Sequence, residues 1–249
     1  VNIDINCDLG EGKTAEDCAR DALLMPYISR CNIACGGHAG NQKTMAISLK
    51  NASEHQLSIG AHPGYPDPEN FGRKSLNISG EELAASVSAQ IQVLVDLASQ
   101  QGVVLDHVKL HGALYNDAEA NPVLATLLTE LIHRNFPDLR ILGLANGAME
   151  AAAKALAHPF IREGFMDRRY LNKQRLSPRS MPGAVIEDFD HCIQQTLGLI
   201  RGDGFPSIDD TELTFTADSI CLHGDNPNAV YIAEKLVDAL QREQIRVSA

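Results

Sequence analysis

The sequence predicts an α/β protein, a single (β/α)7 barrel of the TIM type over residues 1–249. Three observations lead there. Seven short strand patterns alternate with seven helix patterns along the chain, which is the mark of a parallel sheet. At 249 residues and 44% hydrophobic, the chain has the size of one such barrel and enough apolar side chains to fill it. Four of the strands or strand-turns run into histidine, where inward residues at the carboxyl end of a barrel strand stop packing a core and line a mouth.

The first strand, Asn2 to Cys7, places Ile3, Ile5 and Cys7 on one face and Asn2, Asp4, Asn6 and Asp8 on the other, and the polar face continues toward Glu11. A helix is expected from about Glu16 to Ile28 in spite of Pro26. A second short strand in "RCNIACGGHAGN" carries Asn32 and leads to His38. Asn41 is a helix cap for a segment ending near His55, and Ser58 to His62 is the third strand. The Pro- and Gly-rich loop after it is long enough to be functional. Ser79 with Glu82 forms a capping box for a helix to Gln101, which Gly102 ends.

The stretch Asp106 to Asn116, "DHVKLHGALYN", is central. Read as a strand, it points His107, Lys109 and His111 to one face and Val108 and Leu110 to the other. An unpaired buried cation costs several kcal/mol, so Lys109 and His111 are assigned to the mouth, with Asp4 or Asp8 as counter-ion for the lysine. Asn121 and Pro122 open a helix to Asn135; Arg140 to Ala145 is a strand and Gly147 to Ala157 a short helix. Phe160 to Phe165 is the sixth strand, followed by a long loop bearing Asp167, Arg168, Arg169 and Arg179. A helix from Glu187 to Ile200, an excursion, a seventh strand in "SICLHGD" and a last helix capped by Asn226 and Pro227 and ending near Gln244 complete the chain.

Twenty-one Lys and Arg against 32 Asp and Glu give a net charge of −11, which repels phosphate backbones and anionic lipid, so neither nucleic acid nor membrane is an expected partner. No apolar run approaches the about 18 residues of a spanning helix and no export signal is evident. Six cysteines without a C-x-x-C pair suit free thiols in the cytoplasm. Assembly into an oligomer is compatible with this composition.

Asp8, His38, His62, Lys109, His111 and His223 are the candidate catalytic residues, because imidazole transfers protons or binds metal near neutrality, a carboxylate serves as base or ligand, and a buried lysine stabilises an oxyanion or phosphoryl group. Asn6, Glu11 and Asn32 are candidate substrate contacts, and Arg168 and Arg179 suit a carboxylate or phosphate. Glu11, with Asp8, is also a candidate general base or metal ligand, and Asp8 is preferred because it shares the inward phase. His55, His107, His133, His158 and His191 are assigned to packing. Cys35 has no adjacent activating group. Neither a G-x-x-x-x-G-K-[ST] loop nor a G-x-G-x-x-G fingerprint is present.

The stretches "IDINCDLGEG", "CNIACGGHAG", "IGAHPGYPD" with "NFGR", "HVKLHGALYN", the "DRRY" to "PRS" loop ending in "GAVI", and "CLHGD" occur in this order over nearly the whole chain. In these the sequence resembles the LamB/YcsF family. The resemblance implies a seven-stranded barrel related to deacetylases and glycoside hydrolases. It also implies a 5-oxoprolinase activity, the ATP-dependent opening of 5-oxo-L-proline to L-glutamate beside subunits B and C. On that reading Lys109 stabilises anionic oxygen, Asp8 and one of His38 or His62 handle water, and Arg168 or Arg179 receives the carboxylate. Replacing Lys109 by Met is then expected to leave folding intact and abolish activity. Two alternatives are a metal-dependent amide or ester hydrolase with Asp8, His38 and His62 as ligands of a divalent cation, as in the related deacetylases, and a non-catalytic substrate carrier. Gly37 stands where the family has Phe, and is expected to change the pocket's shape.

Overall fold

Seven parallel strands close into a barrel in the computed structural model, which describes residues 1–224 and 228–249. In chain order the first half comprises β1 (Asn2–Leu9), α1 (Ala15–Ala22), β2 (Arg30–Ala34), α2 (Gln42–Glu54), β3 (Ser58–His62), α3 (Gly80–Gln100), β4 (His107–Lys109), α4 (Gly112–Ala120) and α5 (Pro122–Asn135). The second half comprises β5 (Arg140–Leu144), α6 (Ala148–Ala155), β6 (Phe160–Phe165), β7 (Tyr170–Asn172), β8 (Arg175–Leu176), α7 (Phe189–Arg201), β9 (Phe205–Pro206), β10 (Glu212–Leu213), β11 (Ser219–Leu222), α8 (Ala229–Arg242) and β12 (Arg246–Val247). Neighbours around the barrel run β1 to β6 in order, then β11, which returns to β1. β12 pairs in parallel with the amino end of β1. No helix among the described residues is long and apolar enough to cross a membrane.

Local chemistry sets most boundaries. Asn41 caps α2, Ser79 and Glu82 form the box that opens α3, and Asn121 caps α5, each contributing about 1 kcal/mol. Three expectations are corrected. The helix expected to reach Ile28 stops at Ala22, and Pro26 sits in a separate 3-10 turn, because proline lacks an amide donor and clashes with the preceding turn. The strand in Asp106–Asn116 lasts three residues, and α4 takes the remainder after Gly112, whose φ of +55° turns the chain where a Cβ would lie 2.7 Å from the Gly72 carbonyl oxygen. The long arginine loop is not irregular throughout: β7 and β8 form a hairpin in it, and β9 with β10 forms another in the later excursion. The cap expected at Asn226 and Pro227 lies outside the described residues.

The register gives the barrel an unusual interior. Asn6 is level with Cys221 and Arg30, Asp8 with Asn32, Gly60 with His107, and Ser219 with Glu163, so one inward phase closes around all seven strands. That phase is largely polar: Asp4, Asn6, Arg30, Asn32, His107, Lys109, Glu163 and Ser219 are all buried. The opposite phase, with Ile3, Ile5, Ile33, Ile59, Val108, Ile141 and Ile220, packs against the helices and supplies the apolar core. At the lower end Arg30 pairs with Asp4 at 2.6 Å and with Asp106, and Asp106 is shared with Arg140 at 2.6 Å. Arg30 Nη1 donates to His107 Nδ1 at 2.9 Å, so the neutral ring carries its proton on Nε2 and donates to Asn32 Oδ1 at 2.6 Å. Gly60 makes room for this ring, since a Cβ there would fall 2.3 Å from His107 Nε2.

Burial holds the His107 imidazole down to about 4 from an ordinary 6.5; Asp106 opposes this and Arg30 adds to it. A depressed folded value means that the contribution of the neutral ring is fully present above pH 6.5 and is lost as pH falls through about 4. We therefore expect the urea-unfolding midpoint to drop across that window, and the drop to be shallower in His107→Gln. His38 and His111, held down to about 3 by burial, act in the same direction in both proteins. Equal slopes in the two proteins would remove His107 from the account.

Candidate active site

Lys109 is the floor of the barrel mouth. Its Nζ lies 2.7 Å from Glu163 Oε1, 3.1 Å from Asp8 Oδ1, 3.0 Å from Asn6 Oδ1 and 3.4 Å from Cys221 Sγ. Three ammonium protons are thus already directed at protein acceptors. Burial works against the charge of Lys109, but Asp8, Cys221 and Glu163 outweigh it and raise its pKa well above the ordinary lysine value. Burial likewise opposes ionisation of Asp8, and His62 and Lys109 reverse this, holding it well below the usual carboxylate range. Asn32 Nδ2 donates to Asp8 Oδ1 at 2.7 Å and to Asn6 Oδ1 at 2.9 Å, so both asparagines lie under the floor and orient Asp8. Neither stands on the cavity wall, where a substrate contact was expected.

A second group stands beside Asp8. His62 Nδ1 donates to the Lys109 carbonyl oxygen at 2.8 Å, and His111 Nε2 donates to the Phe71 carbonyl oxygen at 2.9 Å. His111 Nδ1 is therefore an acceptor, and His62 Nε2, 3.1 Å away, must donate to it. Burial disfavours charge on His62, but Asp8, 3.4 Å from Nε2, more than offsets this and raises its pKa. His38 stacks on His111 with ring centroids 3.5 Å apart, and Glu11 Oε1 lies 3.0 Å from His38 Nε2 and 3.3 Å from His111 Nδ1. The residues that converge as a ligand set are Glu11, His38, His62 and His111, whose ligating atoms all lie within 4.8 Å of one another. This group differs from the expected set of Asp8, His38 and His62: Asp8 Oδ1 is turned toward Lys109 and Asn32, and its other oxygen meets the group through His62.

The opposite wall comes from the loop after β6 and the end of β11. His223 Nδ1 donates to Asp167 at 2.7 Å, and Arg179 Nη2 donates to His223 Nε2 at 2.9 Å. Arg168 is buried; its Nη2 donates to the Ser177 carbonyl oxygen at 2.6 Å, and burial followed by the nearby Arg179 lowers its pKa. Between these walls lies a cavity of about 660 Å³ whose lining includes Asp8, His62, Lys109, Arg168, Arg179 and His223. Glu11 and His111 also line it, whereas His38 closes the wall from behind His111. His38 and His223 thus stand at the same end of the barrel, after β2 and β11.

Two buried acids and a tyrosine at this end have no forerunner among the sequence candidates. Glu163 is fully buried and accepts from Tyr115 Oη at 2.8 Å as well as pairing with Lys109. Glu119 accepts the backbone N–H groups of Leu144 and Met149, and burial pushes its carboxyl up to about 8. The inward phase of β6 would have pointed to Glu163 had its register with β5 been known. Gly37 does not line the cavity; the space a larger residue would take is filled by Gln90, which bonds both the N–H and the carbonyl of Gly64.

The second carboxylate changes what Lys109→Met should do. Removing the ammonium leaves the fully buried Glu163, and the partly exposed Asp8 beside it, without their cation, so we expect a loss of about 3–5 kcal/mol in unfolding free energy rather than neutrality. Adding Glu163→Gln to that variant should recover part of the loss. Calorimetric unfolding of both variants checks this, and an undiminished stability of Lys109→Met would contradict it.

The family model described as LamB/YcsF matches residues 3–249. A protein from Chloroflexus aggregans, named as the A subunit of 5-oxoprolinase, is 40% identical over 99% of this chain and 98% of its own length. The crystal structure of a lactam utilization protein from Thermus thermophilus superposes with a TM-score of 0.92 at 32% identity, covering 100% of both chains. A family 4 carbohydrate esterase from Streptomyces lividans shares the fold alone, with a TM-score of 0.50 and 9% identity over 100% of this chain and 93% of its own. The barrel, the mouth residues and these matches agree: the chain belongs to the LamB/YcsF family.

Proposed function

We propose that this chain is the A subunit of a 5-oxoprolinase, which opens 5-oxo-L-proline to L-glutamate with hydrolysis of ATP, together with subunits B and C in the cytoplasm. The observation that carries the reading is the Asp8–Lys109–Glu163 set, its lysine and glutamate buried and its aspartate open to a cavity rimmed by Arg73, Arg168, Arg175 and Arg179. The name shared by relatives at about 40% identity supports the substrate. In a chain of net charge −11, four arginines around one cavity favour an anionic ligand, as a carboxylated lactam or a phosphorylated intermediate is.

The chemistry needs ATP because a lactam carbonyl is a poor electrophile. Transfer of the γ-phosphoryl group to the lactam oxygen gives ADP and a phosphorylated imidate. One water adds at the ring carbon and the carbon–nitrogen bond breaks, leaving γ-glutamyl phosphate. A second water releases phosphate and glutamate. Asp8, kept ionised by Lys109 and aimed by Asn32, is suited to take the proton of the attacking water, with the His62 ring next to it favouring its charged form. Lys109 directs its three protons at the protein, so it acts on developing negative charge through its field rather than by a direct bond. Arg168 or Arg179 holds the substrate carboxylate. The chain has no phosphate-binding glycine loop of the standard kinds, so ATP is handled with the partner subunits.

The test is glutamate release and ADP formation from 5-oxoproline by this chain with purified subunits B and C. Asp8→Asn, which leaves the Lys109–Glu163 pair in place, should lower turnover by about 100- to 10,000-fold in a protein that melts at a lower temperature than the parent but is still folded at the assay temperature. Absence of turnover in the complete assembly would overturn the proposal. Turnover without ATP would instead favour metal-assisted amide hydrolysis, and substrate binding without turnover a carrier.

A further inference from the structure

We propose that Glu11, His38, His62 and His111 form a binding site for a first-row divalent transition cation of the Zn2+ kind, on the wall of the mouth and separate from the Lys109 floor. The four residues come from the turn after β1, the turn after β2, the end of β3 and the junction of β4 with α4. They meet at the carboxyl end of four consecutive strands.

The distances between ligating atoms carry the inference. Glu11 Oε1 to His38 Nε2 is 3.0 Å, Glu11 Oε1 to His111 Nδ1 is 3.3 Å, and His111 Nδ1 to His62 Nε2 is 3.1 Å. A tetrahedral centre with bonds of about 2.0–2.1 Å has edges of about 3.3 Å, which these three separations match. The remaining pairs lie within 4.8 Å, and His38 has to turn out of its parallel stack on His111 for both lone pairs to meet one ion. The outer contacts agree. His62 and His111 each donate their other ring nitrogen to a backbone carbonyl, of Lys109 and Phe71, which fixes the rings with the remaining nitrogen turned inward. Asp8, 3.4 Å from His62 Nε2, adds a carboxylate in the outer layer. His38 is buried with Nδ1 unpartnered, a cost that holding Nε2 at this point would explain.

The metal-free cluster is already arranged around a positive charge, the proton that His62 Nε2 shares with His111 Nδ1. A cation at the centre replaces that proton, which leaves to solvent or buffer, while the His38 ring keeps its own by moving it from Nε2 to Nδ1. Three imidazole nitrogens and one carboxylate oxygen suit zinc or a neighbouring transition ion, whereas Mg2+ and Ca2+ favour oxygen donors. Glu11, His62 and His111 line the cavity, which gives the ion a way in. None of this rests on the proposed lactam chemistry.

The test uses the whole chain stripped with a chelator and titrated with ZnCl2, with MgCl2 in parallel. We expect saturable uptake of one Zn2+ per chain by calorimetry and elemental analysis, a rise in melting temperature, and weak or no response to Mg2+. The zinc-edge absorption spectrum should show four nitrogen or oxygen neighbours with imidazole scattering. His38→Gln and His111→Gln should each weaken uptake by more than about 100-fold, beyond the 10- to 100-fold usual for outer-layer changes. His133→Gln, at a close histidine pair elsewhere among the described residues (His133 with His158, 3.3 Å), should leave it unaltered. Absence of saturable uptake by the folded parent overturns the site, as does uptake that survives both ligand variants. The parent spectrum decides the matter if a variant fails to fold, and a sulfur-dominated or all-oxygen shell would overturn the assignment.

Discussion

One ammonium group between a buried carboxylate and a second that borders the cavity organises the upper half of this barrel. Lys109 lies where a TIM-type barrel ordinarily packs branched apolar side chains, and the chain can keep a charge there only because Asp8 and Glu163 face it from β1 and β6. That requirement reaches outward. Tyr115 occupies the second oxygen of Glu163, Asn32 the shared oxygen of Asp8, and Asn6 a further lysine proton. With the interior committed to polar contacts, apolar burial has moved to the layer between strands and helices, where Ile5, Ile33, Val108 and Ile220 pack.

Much of this was legible in the sequence. Strict alternation in β1 placed Asp4, Asn6 and Asp8 on one face, and the closed register puts that face inside. Histidines next to glycines marked the carboxyl ends of strands, and capping residues fixed the starts of α2, α3 and α5. Glu163 was not legible, because "FIREGF" carries a charge on each face and only pairing with β5, Leu144 against Glu163, decides which of Arg162 and Glu163 turns inward. Tyr115 and Glu119 escaped for a different reason. The residues after His111 carry no cap side chain or proline to announce a helix, so the change of period at Gly112 has no local signal.

The ligand set differs from the expected one through backbone direction. Asp8 and Glu11 are three residues apart and chemically equivalent on paper. Asp8 is still in the strand and is captured by the interior, whereas Glu11 lies past the turn at Gly10 and reaches the histidines across the mouth. Gly37 shows the converse case: a departure that looks like a change in the pocket is absorbed by Gln90, one layer away from the cavity.

The hydrogen bonds along the barrel axis have a direction. Arg30 can only donate, so His107 accepts on Nδ1 and donates from Nε2; Asn32 therefore presents its oxygen to His107 and its amide hydrogens to Asn6 and Asp8; and Asn6, its oxygen filled by Asn32 and Lys109, turns its own amide to Ser219. No member can reverse alone. An arginine at the closed end thereby dictates the rotamer of an amide two side chains away, and with it the single orientation in which Asp8 is presented at the open end.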